Sequence, residues 1–149
     1  MAGNWTGSCT SWWGLPTGLL TVAGGILGTI AVWAEAGAPN GLVFAVLIIP
    51  CGFIPLAFRR IDVTIDADAL RIRYGLPRTR VIARSDITSA VVEPDLRPMK
   101  WGGWGYRFLG RKGAAIVLRR GPALILTLSS AKQLAITLDN PEGALQALT

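Results

Sequence analysis

The densest run of recognition chemistry in this chain is Trp101-Gly102-Gly103-Trp104-Gly105-Tyr106-Arg107. Three large aromatics fall within it, spaced by glycine, with Lys100 ahead and Arg111 and Lys112 behind. Indole and phenol rings suit the boundary between water and a lipid or protein surface, and the cations pair with phosphate or carboxylate. Lys100, Trp101, Trp104, Tyr106, Arg107, Arg111 and Lys112 are therefore the expected membrane- or partner-binding residues. A structural role stands open beside that one. The rings would then cap an open barrel, with the glycines permitting positive φ and close backbone approach.

No catalytic constellation accompanies the run. The chain has no His, which removes His-based acid–base chemistry, Ser-His triads and His-ligated metals together. Asp62, Asp66, Asp68, Asp86, Glu93 and Asp95 fall mostly where turns are expected, and nothing pairs two of them around a cleft. Ser85, Ser129 and Ser130 lack the Gly-x-Ser-x-Gly context of an activated nucleophile. Cys9 and Cys51 lie in different segments without zinc spacing, and no disulfide between them is expected. The expectation is a non-catalytic protein without metal or cofactor.

The elements that must position these residues divide sharply by charge. All fifteen Lys and Arg lie between Arg59 and Lys132, and the first 58 residues carry a single ionisable acid, Glu35. Leu15 to Ala34 is an uncharged run of twenty residues, about 30 Å as a helix and so the thickness of a bilayer core. Trp12 and Trp13 stand at one end and Trp33 at the other, where interfacial aromatics sit. A turn over Glu35–Asn40 leads to a second apolar run of eighteen residues, Gly41 to Phe58, closed by Arg59-Arg60. This predicts a transmembrane helical hairpin over 15–58, preceded by a tail over 1–14. No positively charged region precedes the first run, so it is expected as a retained helix rather than a signal peptide. The tail's uncharged Trp, Ser and Gly content is unusual for a true beginning and points to a start upstream. The positive-inside rule puts both hairpin ends in the cytoplasm, making this a multi-pass inner-membrane protein.

Gly24-x-x-x-Gly28 supplies small residues for helix packing in lipid. Either the second helix of the same chain fills that groove or another copy does. Pro50 and Pro55 interrupt the second run and tend to kink it. No ionisable side chain lies inside either run, which argues against transport or proton relay.

Residues 59–149 change texture to short alternating runs, with fifteen Lys/Arg against eight Asp/Glu, a formal +7. Seven strands are predicted, beginning near 61, 70, 78, 87, 114, 124 and 134. Turns fall at Asp66-Ala67-Asp68, Gly75-Leu76-Pro77, Arg120-Gly121-Pro122 and Ser129-Ser130. A long Gly/Trp loop spans 96–113. Asn140-Pro141-Glu142 predicts a capped C-terminal helix with Leu145 and Leu148 on its apolar face.

That order resembles the bacterial pleckstrin-homology-like (PH-like) domain. The stretches that carry the resemblance are Asp62-Val63-Thr64-Ile65, Leu70-Arg71-Ile72-Arg73-Tyr74-Gly75, Arg97 to Arg107, and Asp139-Asn140-Pro141-Glu142. It implies two orthogonal antiparallel sheets forming a partly open barrel plugged by the helix, over roughly 61–149. A two-helix anchor ahead of such a domain is similar to small bacterial membrane proteins. Twelve of the fifteen basic residues are Arg, a usage that fits a GC-rich bacterial gene. The family resemblance does not extend to inositol-lipid binding, because Arg71-x-Arg73 lacks a basic partner on the strand expected over 61–66.

The expected fold is thus a membrane-anchored α+β protein, with two transmembrane helices followed by a seven-stranded antiparallel PH-like barrel and a C-terminal helix. The expected function is a binding module anchored in the lipid bilayer that contacts a protein partner not identified by sequence, the anionic headgroups of the membrane surface, or both. No nucleic-acid partner is expected, since no helix-turn-helix, zinc or RNP-like pattern accompanies the positive charge. The alternative is an accessory subunit assembled into a membrane complex through the hairpin, using Gly24 and Gly28.

Overall fold

The computed structural model describes residues 4–36, 38–75 and 79–149. The chain forms two compact units, one of Ser11–Arg59 and one that joins a short N-terminal strand to Arg60–Thr149.

The first unit is a helical hairpin of α1 (Gly14–Ala36) and α2 (Ala38–Ala57). The helices run closer together in sequence than the turn expected over 35–40; Gly37 between them lies outside the described residues. Both are long and apolar enough to cross a membrane, and little of either is buried within the protein. Leu20, Leu27, Val46 and Leu47 face outward. The inner seam is made of glycine instead. A methyl group added at Gly18 would stand 2.6 Å from Leu56 Cγ, and one at Gly52 would stand 2.5 Å from Val22 Cγ2. Gly41 lies against Trp33 in the same way. Close backbone approach of this kind is how helices associate where apolar side chains gain nothing by leaving their surroundings. Polar side chains bond back to their own helices. Thr17 Oγ1 donates to the Trp13 carbonyl at 2.6 Å, Thr21 to Thr17 at 2.9 Å, Thr29 to Gly25 at 2.7 Å and Cys51 Sγ to Leu47 at 3.1 Å. α2 continues through Pro50 and Pro55 as one helix.

The second unit contains two sheets that do not close into a barrel. The first has the order β1-β2-β3-β4, where β1 is Trp5–Thr10, β2 Arg60–Ile65, β3 Ala69–Tyr74 and β4 Thr79–Ala83, all antiparallel. The second has the order β5-β8-β9-β7-β6, where β5 is Ile87–Leu96, β6 Gly105–Phe108, β7 Gly113–Val117, β8 Gly121–Leu128 and β9 Gln133–Thr137. Helix α3, Pro141–Leu148, follows. Asn140 caps it by accepting from the Gly143 N–H at 2.9 Å, and Pro141 opens it.

Three sequence expectations change. The tail is not separate, because Trp5–Thr10 forms a strand with Thr10 opposite Arg60 and Trp5 opposite Ile65. The helical hairpin is thus inserted between two paired strands. The 96–113 loop contains a strand, β6, so the described residues hold nine strands rather than seven. Nor is the domain wholly antiparallel. β7 pairs in parallel with β9 rather than turning back onto β8. Its residues Gly113 to Val117 are buried throughout, and an unbroken apolar strand belongs inside a sheet covered on both faces. The expected turn residues Leu76 and Pro77, and Arg78 at the expected start of the next strand, lie outside the described residues.

Alternation then builds the core. Ile61, Val63 and Ile65 of β2 with Leu70 and Ile72 of β3 face Ile116, Leu124, Leu126, Leu134 and Ile136 from the other sheet, and Ala144 of α3 joins them. The intervening Ala115, Val117, Ala123 and Ala135 point to the opposite face of the second sheet. That face is covered by Leu96, Trp101 and Leu109, all from the 96–113 segment.

Candidate binding surface

The 96–113 segment is a cover over the back of the second sheet, and its outer side is the candidate site. Its start is fixed by charge. Arg120 grips Asp95 with two bonds, Nε to Oδ1 at 2.7 Å and Nη2 to Oδ2 at 2.5 Å. That grip, helped by Arg97, holds the Asp95 carboxyl below its usual pKa range. Leu96 and Pro98 are buried beneath it. A single 3₁₀ turn, Pro98–Trp101, ends where the Gly103 N–H donates to the Pro98 carbonyl at 2.9 Å. Gly102 sits at φ 81°, Gly103 at 104° and Gly105 at 87°, three positions that β-carbon sterics close to most residues.

This backbone gives the two tryptophans opposite fates. Trp101 is half-buried and, like Leu109 and Ile125, packs against the cluster of Leu96, Ala115, Val117, Ala123 and Ala135, whereas Trp104 is 54% exposed. Trp101 therefore has a structural place, on the back of the second sheet rather than at a barrel mouth, and Trp104 is left on the surface. Tyr106 follows on β6 at 46% exposure and Phe108 at 73%, with Met99 exposed nearby in sequence on the 3₁₀ turn. Tyr106 and Phe108 share a face of the strand by their spacing. β6 is the outermost strand of its sheet and leaves one edge unpaired.

Lys100, Arg107, Arg111 and Lys112 are exposed, and none forms an ion pair among the described residues. The five ion pairs take up Arg60, Arg71, Arg97, Arg119 and Arg120 instead. Arg71 of the Arg-x-Arg pair is held by Asp66 at 2.8 Å. A solvated pair of that sort contributes little to stability, but it does offset the charge of Arg71.

Sequence reasoning passed over Met99 and Phe108, although Phe108 is two residues beyond Tyr106 and so on its face. It also passed over the contacts that bring β6 toward the first sheet. Arg80 Nη1 on β4 lies 3.4 Å from the Tyr106 hydroxyl. Tyr74, at the end of β3, reaches the backbone of Tyr106. Burial pushes the Tyr74 phenol up, while the nearby Arg107 charge pulls it down. No local sequence signal marks these contacts, which span separate strands.

The small residues of the hairpin divide as well. Gly28 lies under the Phe44 ring, where an added methyl would stand 2.7 Å from Cε1. Gly24 has nothing within 4 Å of such a methyl. The second helix of the same chain therefore occupies the Gly28 side and leaves Gly24 open.

No known family model matches the chain, and no curated protein matches it as a relative.

Proposed function

We propose that this protein is a non-catalytic, membrane-anchored binding module, with the hairpin spanning a bacterial inner membrane and a PH-like domain in the cytoplasm. The domain contacts the anionic bilayer surface, a protein partner or both. One observation carries this reading: Trp104, Tyr106, Phe108 and Met99 are exposed on a single covering segment that also presents four cations without an ion pair among the described residues. Aromatic rings at the headgroup level and cations near phosphate are the usual means of holding a domain on a membrane. Each cation contributes about 1 kcal/mol there, and tethering raises the effective concentration enough for weak contacts to suffice.

Hydrogen exchange of the full-length protein in nanodiscs tests the lipid part. Anionic lipid should slow exchange across residues 99–112 relative to neutral lipid, and Trp104→Ala should remove that protection. Equal exchange in both lipids would reject lipid contact. A photo-crosslinker at position 104 in native membranes then tests the protein partner, and failure to form any discrete adduct would sink that version too.

A second reading, an accessory subunit assembled through the hairpin, is favoured by the open space at Gly24. Gly24→Leu should then dissolve a detergent-stable complex, and survival of the complex would reject it.

A further inference from the structure

The open corner between the two sheets holds a cavity of about 230 Å³, lined by residues of five strands and a turn. Arg80 comes from β4, Tyr106 and Phe108 from β6, Ala114 from β7, Leu128 from the end of β8, and Lys132 from the turn before β9. Its composition is lopsided. Two cations, a phenol and the Gln133 amide of β9 share the lining with Gly113 and apolar Phe108, Ala114 and Leu128, and no carboxylate lines the cavity among the described residues. Neither Arg80 nor Lys132 forms an ion pair among the described residues. Among the described residues Arg80 donates to the Tyr106 oxygen, at 3.4 Å, a bond in which the Tyr106 O–H keeps its own proton to donate.

The turn that presents Lys132 is strained. Ala131 lies at φ 58°, the one positive φ outside glycine among the described residues. A β-carbon is disfavoured in that left-handed region. The turn is closed by Ala131 N–H to the Leu128 carbonyl at 2.8 Å and Leu128 N–H to the Lys132 carbonyl at 2.9 Å. The backbone strain is thus stored beside a cation on the rim of a cavity, a placement typical of ligand sites.

We infer that this corner binds a phosphate monoester carried on an apolar stem. The charge count selects it. A monoester carries about −1.5 to −2 at pH 7 and three acceptor oxygens, matching two cations and one hydroxyl donor. A carboxylate, with one charge, would leave a cation unmatched. Arg80 offers its planar fork and Lys132 a mobile point charge, while Phe108, Ala114 and Leu128 receive the first carbons of the stem. The cavity is smaller than the roughly 300–1,000 Å³ that encloses a whole drug-sized ligand, so it takes the head of a molecule and leaves the rest outside. Two sources share this chemistry: a soluble organic phosphate and a phospholipid whose headgroup is a bare phosphate. The inference does not depend on surface contact by Trp104, which lies outside the cavity lining.

The test uses the full-length protein in phosphatidylcholine nanodiscs, with butyl phosphate as probe and its ³¹P resonance as readout. Saturable broadening should appear, and both Arg80→Gln and Lys132→Gln should weaken binding at least about tenfold, as expected for loss of a charge-assisted bond. Lys132 is exposed in a turn, so that variant keeps the test valid if Arg80→Gln unfolds. Trp104→Ala should leave binding unchanged, which separates failure of this site from failure of membrane contact. No broadening, equal binding by butyrate in competition, or unchanged affinity in both Gln variants would overturn the inference. Doping the nanodisc identifies the source. Displacement of butyl phosphate by phosphatidic acid but not by phosphatidylglycerol assigns a lipid headgroup, and no displacement by either assigns a soluble ester.

Discussion

The hairpin and the β-domain solve packing in opposite ways. In the hairpin, Gly18, Gly25 and Gly52 are buried while Leu20, Leu27 and Leu47 face outward. In the domain, Leu70, Leu124, Leu126 and Leu134 are fully buried, and what faces outward is mostly charged, polar or aromatic. The difference is the one expected if the hairpin packs in lipid and the domain in water. Burying leucine is favourable only when the alternative is water. Where the outside is as apolar as the inside, close backbone contact is what remains to hold helices together.

Leucine truncation should separate the two regions most strongly. Leu126→Ala in the domain should lose about 2–5 kcal/mol, read by urea unfolding. Leu20→Ala should leave hairpin packing unchanged and instead weaken resistance to carbonate extraction from membranes. Comparable unfolding losses at both positions would break the comparison.

The glycines test the converse. Gly52→Leu should disrupt the hairpin, because even a β-carbon would meet the Val22 backbone N at 2.9 Å. Overpacking of this kind costs about 1–3 kcal/mol, visible as faster proteolysis between the helices. Gly24→Leu should leave the isolated hairpin intact, since nothing stands within 4 Å.

Alkali should give the smallest effect and act on the domain alone. Cys9 is fully buried in β1, and burial raises its thiol pKa, opposed in part by Arg119. Tyr74 is raised by burial as well. A folded pKa above the unfolded one contributes stability that is complete below the unfolded pKa and lost as pH climbs through the folded one. Domain stability should therefore decline above about pH 8.5 as the unfolded cysteine ionises, with tyrosine adding to the decline at higher pH. Cys9→Ala should flatten the first part of that decline. An unchanged slope in urea melts across pH 8–10 would show that Cys9 is not as buried as its strand placement requires.

Much of this division was readable from neighbouring residues. Unbroken apolar runs marked both helices, and alternation at Leu70-Arg71-Ile72-Arg73 and Leu124–Leu128 marked strands with the correct faces inward. Asn140-Pro141 marked the last helix through its cap. β1 escaped because Trp5–Thr10 is small and polar with no clear alternation, and β6 because its Tyr106-Arg107-Phe108 alternation is too short to stand out behind the glycine run. Each is a strand only because a partner, β2 or β7, lies alongside it. The run Trp101 to Arg107 was visible as recognition chemistry, but its residues were not sorted. Two tryptophans three positions apart have the same intrinsic preferences, and only the left-handed glycines and the apolar back of the second sheet send one inward and the other out.

The residues alone therefore marked where long uncharged apolar runs give way to charged ones, which segments alternate, and which side chains carry positive charge. These are preferences of each residue and its near neighbours. Tertiary structure decided the rest: the capture of the N-terminal strand, the parallel pairing of β7 with β9, the covering of the second sheet, and the meeting of Arg80, Tyr106 and Lys132 at one corner. Those depend on segments tens of residues apart, whose contacts become favourable only when the whole domain closes and loop-closure entropy has already been met.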